Sequence, residues 1–158
     1  MSRVHHSAIR VTDVEASLRF WRDGLGFAVL MDERFEGDWP TLLRAPSSSL
    51  RAVFLGDPDQ PGSGIVELVD LGPVDEPPDS PGPEANRAGF LLLSIMTDLS
   101  AALERLDALG LGGTPRRIDA SGVAMAVVTD PDGVLVELID SGAAANLERL
   151  TQSAPGPA

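Results

Sequence analysis

The stretch HSAIRVTDVEASL (6–18) decides the fold, because the chain repeats it at 91–103 as LLLSIMTDLSAAL. In each copy an extended run leads into Thr-Asp and then into apolar residues at helical spacing, which predicts a strand followed by a helix. A second repeat closes each half: GIVELVD (64–70) and VLVELID (134–140) both read as apolar strands with a central glutamate. Two copies of one supersecondary unit are therefore expected.

The segments between these repeats complete each unit. A capping box of Thr12 and Glu15 is expected to begin the first helix, and Asp38 to cap a single helical turn. Periodicity predicts the remaining strands and helices at 27–35, 38–44, 50–56, 89–96, 98–109, 114–118 and 122–129. We therefore predict an α+β fold in which two tandem βαβββ modules form a cupped eight-stranded mixed sheet with the helices outside.

The chain is predicted to divide into module one (1–70), a linker (71–88), module two (89–141) and a tail (142–158). The linker is rich in proline and acid and has no apolar period. The tail is expected to form a short helix at 143–150 and then to be disordered.

Composition excludes several kinds of chemistry. The chain has no Cys, no Tyr and no Lys, so thiolate nucleophiles, tyrosine acids and lysine Schiff bases are absent. Proton transfer is left to His5, His6, the carboxylates or a metal-bound water. A formal charge of −12 argues against nucleic acid as a partner. Since no apolar run approaches the roughly 20 residues of a membrane helix and no signal region is evident, we expect a cytoplasmic protein without a membrane partner.

Strand alternation selects the residues that are expected to share a site. His6, Ala8 and Arg10 fall on one face of the first strand, and His5 is expected on the opposite face. The glutamates at the centres of the closing strands, Glu67 and Glu137, are predicted to lie near the inward face of the first strand.

Two motifs carry a family resemblance. The opening H-x4-V-x-D (6–13) and the closing DPDG-x3-EL (130–138), set in two βαβββ modules, resemble the vicinal oxygen chelate superfamily. That superfamily includes glyoxalase I, methylmalonyl-CoA epimerase, fosfomycin-modifying enzymes, extradiol dioxygenases and bleomycin-binding resistance proteins. The resemblance covers residues 3–140.

The resemblance implies a metal site. His6, Glu67 and Glu137 match three of the four ligand positions of glyoxalase I and would bind a divalent ion such as Zn, Ni, Mn, Fe or Co. The fourth position falls on Leu91, which has no donor atom. This departure removes the second histidine that the extradiol dioxygenases require. A protein without a cofactor remains the alternative, with His6 as a hydrogen-bonded histidine in a pocket wall.

The resemblance also implies substrate-binding residues. Arg10 would hold a substrate carboxylate, with a structural ion pair to Glu67 or Glu137 as the alternative. Leu91 would line the pocket. Trp39 and Phe35 are expected either to form an aromatic lip over a planar ligand or simply to plug the core.

Two functions follow. The first is a glyoxalase-like, metal-dependent lyase, isomerase or epimerase that acts on a small oxygenated anion through an enolate, with Glu67 or Glu137 transferring the proton. The alternative is a metal-free protein of the bleomycin-resistance type that sequesters an antibiotic or another natural product. The sequence favours the enzyme, because three ligand positions keep suitable donors. In either case we expect a small-molecule ligand and a homodimer.

Overall fold

A computed structural model describes residues 2–74, 88–120, 122–145 and 149. The chain forms two compact units, Met1–Asp79 and Ser80–Ala158, which contain module one and module two. Most of the predicted linker and of the predicted tail, including half of its helix at 143–150, lies outside the described residues. No helix within the described ranges is both long and apolar enough to span a bilayer.

Each module has the predicted order of elements. Module one contains β1 (His6–Arg10), α1 (Val14–Leu18) with a following π-helical turn (Arg19–Gly24), β2 (Ala28–Glu36), α2 (Trp39–Leu43), β3 (Ser49–Gly56) and β4 (Ile65–Asp70). Module two contains β5 (Leu93–Thr97), α3 (Leu99–Ala108), β6 (Gly112–Ala120), β7 (Val123–Thr129), β8 (Leu135–Asp140) and a 3-10 turn (Ser141–Ala143).

The eight strands form two four-stranded mixed sheets of identical topology. The strand orders are β1-β4-β3-β2 and β5-β8-β7-β6. In each sheet the opening strand runs parallel to the closing strand, and the other neighbours are antiparallel. The predicted α+β fold of tandem βαβββ modules is confirmed. This topology sets the closing glutamate of each module beside the opening strand.

The hydrophobic core of module one lies between its helix and its sheet. Phe20 and Trp21 are completely buried, with ring centroids 5.2 Å apart in an edge-to-face arrangement. Beneath them Val53, Leu55 and Leu68 are also fully buried. In module two the buried residues Ala102 and Leu106 place α3 against its sheet in the same way. One face of each sheet therefore packs against the helix of the same module.

The structure corrects two local predictions. The first helix is capped by Asp13, not by the predicted pair of Thr12 and Glu15, because the Asp13 carboxylate accepts hydrogen bonds from the backbone N–H groups of residues 15 and 16. The opening strand of module two begins at Leu93, not at the predicted residue 89. Leu91, expected to begin that strand, therefore precedes it.

Candidate functional site

The sheet face of module one that is turned away from its helix carries a histidine–glutamate pair. His6 begins β1, and Glu67 is paired with Ala8 at the centre of the neighbouring strand. His6 Nε2 lies 3.2 Å from Glu67 Oε2, and the two side chains are 40% and 16% exposed, respectively. The imidazole can therefore still be reached from solvent, while the carboxylate is largely enclosed. The predicted proximity of these two residues is confirmed.

His5 belongs to the same site, contrary to the sequence prediction. His5 Nδ1 lies 2.9 Å from His6 Nδ1, and the two rings meet edge-on with centroids 5.2 Å apart. Strand alternation would place His5 on the opposite face, but its ring contacts the His6 ring directly, one residue before β1 begins. Its contact with His6 holds the ring that faces Glu67.

Phe54 forms the apolar wall of the pair and was missed by the sequence reasoning. The ring of Phe54 lies 5.6 Å from that of His6, and its backbone pairs with Glu67. No signal in the sequence marks Phe54, because its role follows from the register of β3 against β4. Burial raises the pKa of Glu67, while the neighbouring His6 and His5 act in the opposite direction. The carboxylate is therefore disposed to hold a proton more readily than a solvated glutamate.

Trp39 and Phe35 lie on the same sheet face as this pair. Trp39 packs against the buried cluster of Leu50, Ala52 and Val69, together with Phe54 and Leu71. Its indole N–H donates to the carbonyl of Phe35 at 3.2 Å. Asp38 caps the short helix that presents Trp39, as predicted. The aromatic residues thus border an apolar floor beside the polar pair.

Arg10 completes the exposed face of β1. Its guanidinium donates to the carbonyl of Pro73 at 3.3 Å. Within module one, the described residues include no ion pair between Arg10 and Glu67, whose ionic contact is to His6. Of the two ion pairs considered for Arg10 as an alternative to substrate binding, the one with Glu67 is therefore not formed. Arg10 is exposed.

The third predicted ligand, Glu137, lies in module two. It pairs with Ser94 of β5, and the Ser94 hydroxyl makes a very short hydrogen bond to Glu137 Oε2. The predicted set of three therefore divides into a pair in module one and a single carboxylate in module two. The sequence of module two contains no histidine.

The sheet registers locate the missing histidine position. In module one Ala8 lies opposite Glu67, and in module two Ser94 lies opposite Glu137. Two residues before Ala8 is His6, and two residues before Ser94 is Leu92. The position that corresponds to His6 is therefore Leu92, one residue beyond the predicted Leu91. The sequence repeat misaligned the strands because it was anchored on the helix caps, Asp13 and Asp98. Four residues separate Ala8 from Asp13, whereas three separate Ser94 from Asp98.

Two side chains of module one, His6 and Glu67, have atoms placed suitably for binding one metal ion. The separation of 3.2 Å between His6 Nε2 and Glu67 Oε2 fits two ligands of one ion bound at about 2.0–2.2 Å. The contact of the second His6 ring nitrogen with His5 is the kind of outer contact that orients a ligating imidazole. Over the ranges described, however, no group of three or more His, Cys, Asp or Glu side chains is arranged to hold a metal. Module one thus offers two suitable donors.

Comparisons with known proteins agree with this architecture. Residues 3–138 match the family model of the Glyoxalase/Bleomycin resistance protein/Dioxygenase superfamily. The lactoylglutathione lyase-like protein terB of Aspergillus terreus is 34% identical over 145 residues, which cover 86% of this chain and 74% of that protein. A glyoxalase family protein of Bacillus cereus superposes with a TM-score of 0.69 at 17% identity, covering 89% of this chain and 94% of its own. Leishmania major glyoxalase I gives a TM-score of 0.63 at 24% identity, covering 97% and 100%.

Two duplicated βαβββ modules whose closing strands each carry a glutamate define a protein of the vicinal oxygen chelate class. The chain belongs to the Glyoxalase/Bleomycin resistance protein/Dioxygenase superfamily. The predicted resemblance is thereby confirmed. The solved structures support the fold alone.

Proposed function

We propose that this protein is a glyoxalase-like lyase, isomerase or epimerase that moves a proton on a carbon atom next to a carbonyl group of a small oxygenated anion. The observation that carries the proposal is the contact of 3.2 Å between His6 Nε2 and the largely enclosed Glu67 carboxylate. A carboxylate in such a position can remove a proton from carbon and return it, which is what enolate chemistry requires.

Three residues of module one would divide the work. Glu67 would transfer the proton, and His6 would orient its carboxylate. Arg10, whose exposed guanidinium donates a hydrogen bond to the carbonyl of Pro73, would exchange that contact for a substrate carboxylate. Phe54 and the apolar floor would exclude water from one side of the reacting carbon.

A divalent metal ion is the proposed cofactor. His6 and Glu67 would hold it, and the bound ion would act as a Lewis acid on the carbonyl oxygen. Metal content measured by elemental mass spectrometry tests this part separately, using protein purified without chelator. His6→Ala and Glu67→Gln should each lose the metal, whereas Glu36→Gln on the opposite face of β2 should keep it. Full metal content in Glu137→Gln would exclude Glu137 as a ligand.

Proton exchange tests the reaction itself. A panel of small α-hydroxy, α-oxo and β-oxo acids would be incubated with the protein in D2O, and loss of the C–H signal followed by NMR. Glu67→Gln should slow the exchange at least about 100-fold, because general acid–base catalysis contributes on that order. The control Glu36→Gln should exchange at the wild-type rate. Exchange that persists unchanged in Glu67→Gln would refute the assignment.

The second candidate function is metal-free sequestration of an apolar or planar molecule. The observation that favours it is the apolar cluster under Trp39 and Phe54, on the same face as the polar pair. Binding of a member of the panel without exchange or product, and without sensitivity to a chelator, would select this function over the enzyme.

We further propose that the protein works as a cytoplasmic homodimer. In the described sheets β1, β2, β5 and β6 are edge strands, which pairing between subunits could cover. Light scattering coupled to size-exclusion chromatography tests the dimer, and fractionation of cells tests the location. A mass of one chain at all concentrations would contradict the dimer.

A further inference from the structure

The helix side of module two contains a cavity of about 350 Å³ between α3 and the edge strand β6. From α3 its walls include Ser100, Glu104 and Asp107, which are spaced four and three residues apart and therefore lie on one face of the helix. From β6 the wall includes Arg117, whose backbone partner on β7 is the buried Ala126. The cavity is thus lined by negative charges on one side and by a positive charge on the other.

Module one fills the corresponding place with a bridging arginine. Arg51 of β3 donates two hydrogen bonds to the carboxylate of Asp32 on β2, at 2.8 and 2.7 Å. Its guanidinium also lies 3.5 Å from a carboxylate oxygen of Glu15 on α1. One side chain therefore joins the helix to two strands on this side of the sheet.

Module two has lost this bridge. When the modules are aligned on their closing glutamates, Arg117 falls at the position of Asp32, and Ala124 at the position of Arg51. Ser100 lies two residues after the cap of α3, where α1 has the carboxylate of the bridge. The bridging guanidinium is thus replaced by a methyl group, which leaves the space between helix and sheet open.

The charges on the two walls do not pair with each other. Among the residues that the structure describes in module two, no ion pair joins Arg117 to Glu104 or to Asp107. Glu104 and Asp107 are like charges three residues apart, and Asp107 lies in the last turn of α3, where the helix dipole also disfavours a negative charge. A cationic group bound beside these carboxylates would relieve both unfavourable interactions.

We infer that this cavity is a second ligand site, which binds an α-amino acid with an apolar side chain. The carboxylate of the ligand would pair with Arg117, and its ammonium group with Glu104 and Asp107. Its side chain would contact Leu103 and Leu106, the buried apolar residues of the same cavity. The volume is at the lower end of the range for ligand sites, and an α-amino acid is a small molecule that carries both charges and an apolar group. The inference does not rest on the proposed reaction, which uses residues of module one.

Four matched probes separate the contributions. Free leucine carries both charges and an apolar side chain; isoamylamine lacks the carboxylate, isocaproate lacks the ammonium group, and glycine lacks the side chain. Calorimetry on the full chain should show that leucine binds at least about tenfold more tightly than each of the others. Each charged contact, and burial of the isobutyl group, is expected to contribute at least that factor.

The adjacent arginines of β6 provide a variant and its matched control. Arg117→Gln should weaken leucine binding about tenfold and change isoamylamine binding less than about twofold, because only leucine has the carboxylate. Arg116→Gln removes the same charge from the opposite face of the strand and should bind leucine as the wild type does. Asp107→Asn should weaken leucine and isoamylamine alike. Arg117 and Asp107 are exposed, so neither substitution should disturb the core.

A variant that closes the cavity gives an independent test. Arg117→Asp combined with Ala124→Arg and Ser100→Glu rebuilds the bridge of module one and should abolish leucine binding, with an unchanged circular dichroism spectrum. In the wild type, the amide NMR signals of Leu111 and Gly113, which also line the cavity, should shift when leucine is added.

Specific outcomes overturn the inference. Equal affinity for leucine and isoamylamine would make this a site for cations only, and equal effects of Arg117→Gln and Arg116→Gln would indicate unspecific attraction by charge. No detectable binding of leucine at its solubility limit would refute the site. Because none of these measurements needs turnover, they can fail while Glu67-dependent proton exchange persists, and they can succeed while exchange is absent.

Discussion

Leu92 occupies in module two the position that His6 occupies in module one, because each lies two residues before the residue that faces the closing glutamate. Module one therefore has a histidine–glutamate pair, whereas module two has Leu92 at the histidine position and Ser94 where module one has Ala8. The difference can be reversed by substitution, which makes it the most direct test of how the two modules have diverged.

Leu92→His should create a second histidine–glutamate pair and raise the affinity for Zn²⁺ by about tenfold, comparable to the effect of a supporting group at a metal site. The matched control is Leu91→His, which places the histidine one residue away from the position that corresponds to His6 when the modules are aligned on their paired glutamates. Calorimetric titration with Zn²⁺ measures both. A larger gain for Leu91→His would show that the alignment by helix caps, not by strand register, is the correct one.

Arg10→Lys should keep the charge but lose the planar pair of donors that a carboxylate requires. We expect KM for the substrate identified by proton exchange to rise about tenfold with a smaller change in kcat. Arg34→Lys, on the outer face of β2, is the control and should behave as the wild type. A fall in kcat at unchanged KM would move Arg10 from anion binding to the chemical step.

Asp32 and Arg51 should make stability depend on pH in the acid range. The Arg51 guanidinium donates two hydrogen bonds to the Asp32 carboxylate, at 2.8 and 2.7 Å, and holds the pKa of Asp32 below its usual value. A carboxylate with a lowered folded pKa stabilises the folded state above its unfolded pKa of about 4 and loses that contribution as the pH falls through the folded pKa.

Asp32→Asn should therefore reduce the free energy of unfolding at pH 7 by about 0.5–1 kcal/mol, a range limited by solvent screening because the side chain is 38% exposed. The effect of the substitution should become smaller as the pH falls through the folded pKa of Asp32, because the wild type then loses the same contribution. Urea denaturation at several pH values measures this, with Glu33→Gln on the neighbouring position as the control. If Asp32→Asn lowered the free energy of unfolding by the same amount at all pH values, stability would not depend on the protonation of Asp32.

Trp21→Ala should be the most damaging of these substitutions. Trp21 is fully buried, and its ring packs edge-to-face against Phe20 and Phe27 at 5.2 and 5.8 Å. Removing a buried aromatic side chain of this size costs about 3–5 kcal/mol of unfolding free energy. Trp39 is only partly buried, so Trp39→Ala should cost clearly less. Chemical denaturation followed by circular dichroism compares the two, and equal losses would show that Trp39 belongs to the core.

The fold could be predicted from the sequence because its signals are local and are repeated. The apolar runs IVELVD and VLVELID each indicate one strand, and the helical spacing after Asp13 and after Asp98 each indicates one helix. Their repetition fixed the order of elements in both modules. The pairing of His6 with Glu67 was also accessible, since strand alternation and the family resemblance both pointed to it.

The rest of the site could not be predicted because it depends on which residues lie opposite one another in the sheets. The sequence of a strand does not show how the strand pairs with its neighbour. Module one has one more residue between Ala8 and Asp13 than module two has between Ser94 and Asp98, and this difference moved the expected ligand position from Leu92 to Leu91. His5 was expected on the opposite face, but its ring contacts the His6 ring directly. Phe54 and Ser94 gave no signal of their own, since their roles come from facing Glu67 and Glu137. The sequence by itself determined the modules and their glutamates, and only the tertiary structure decided the partner of each glutamate, because hydrogen-bonded register joins residues far apart in the chain.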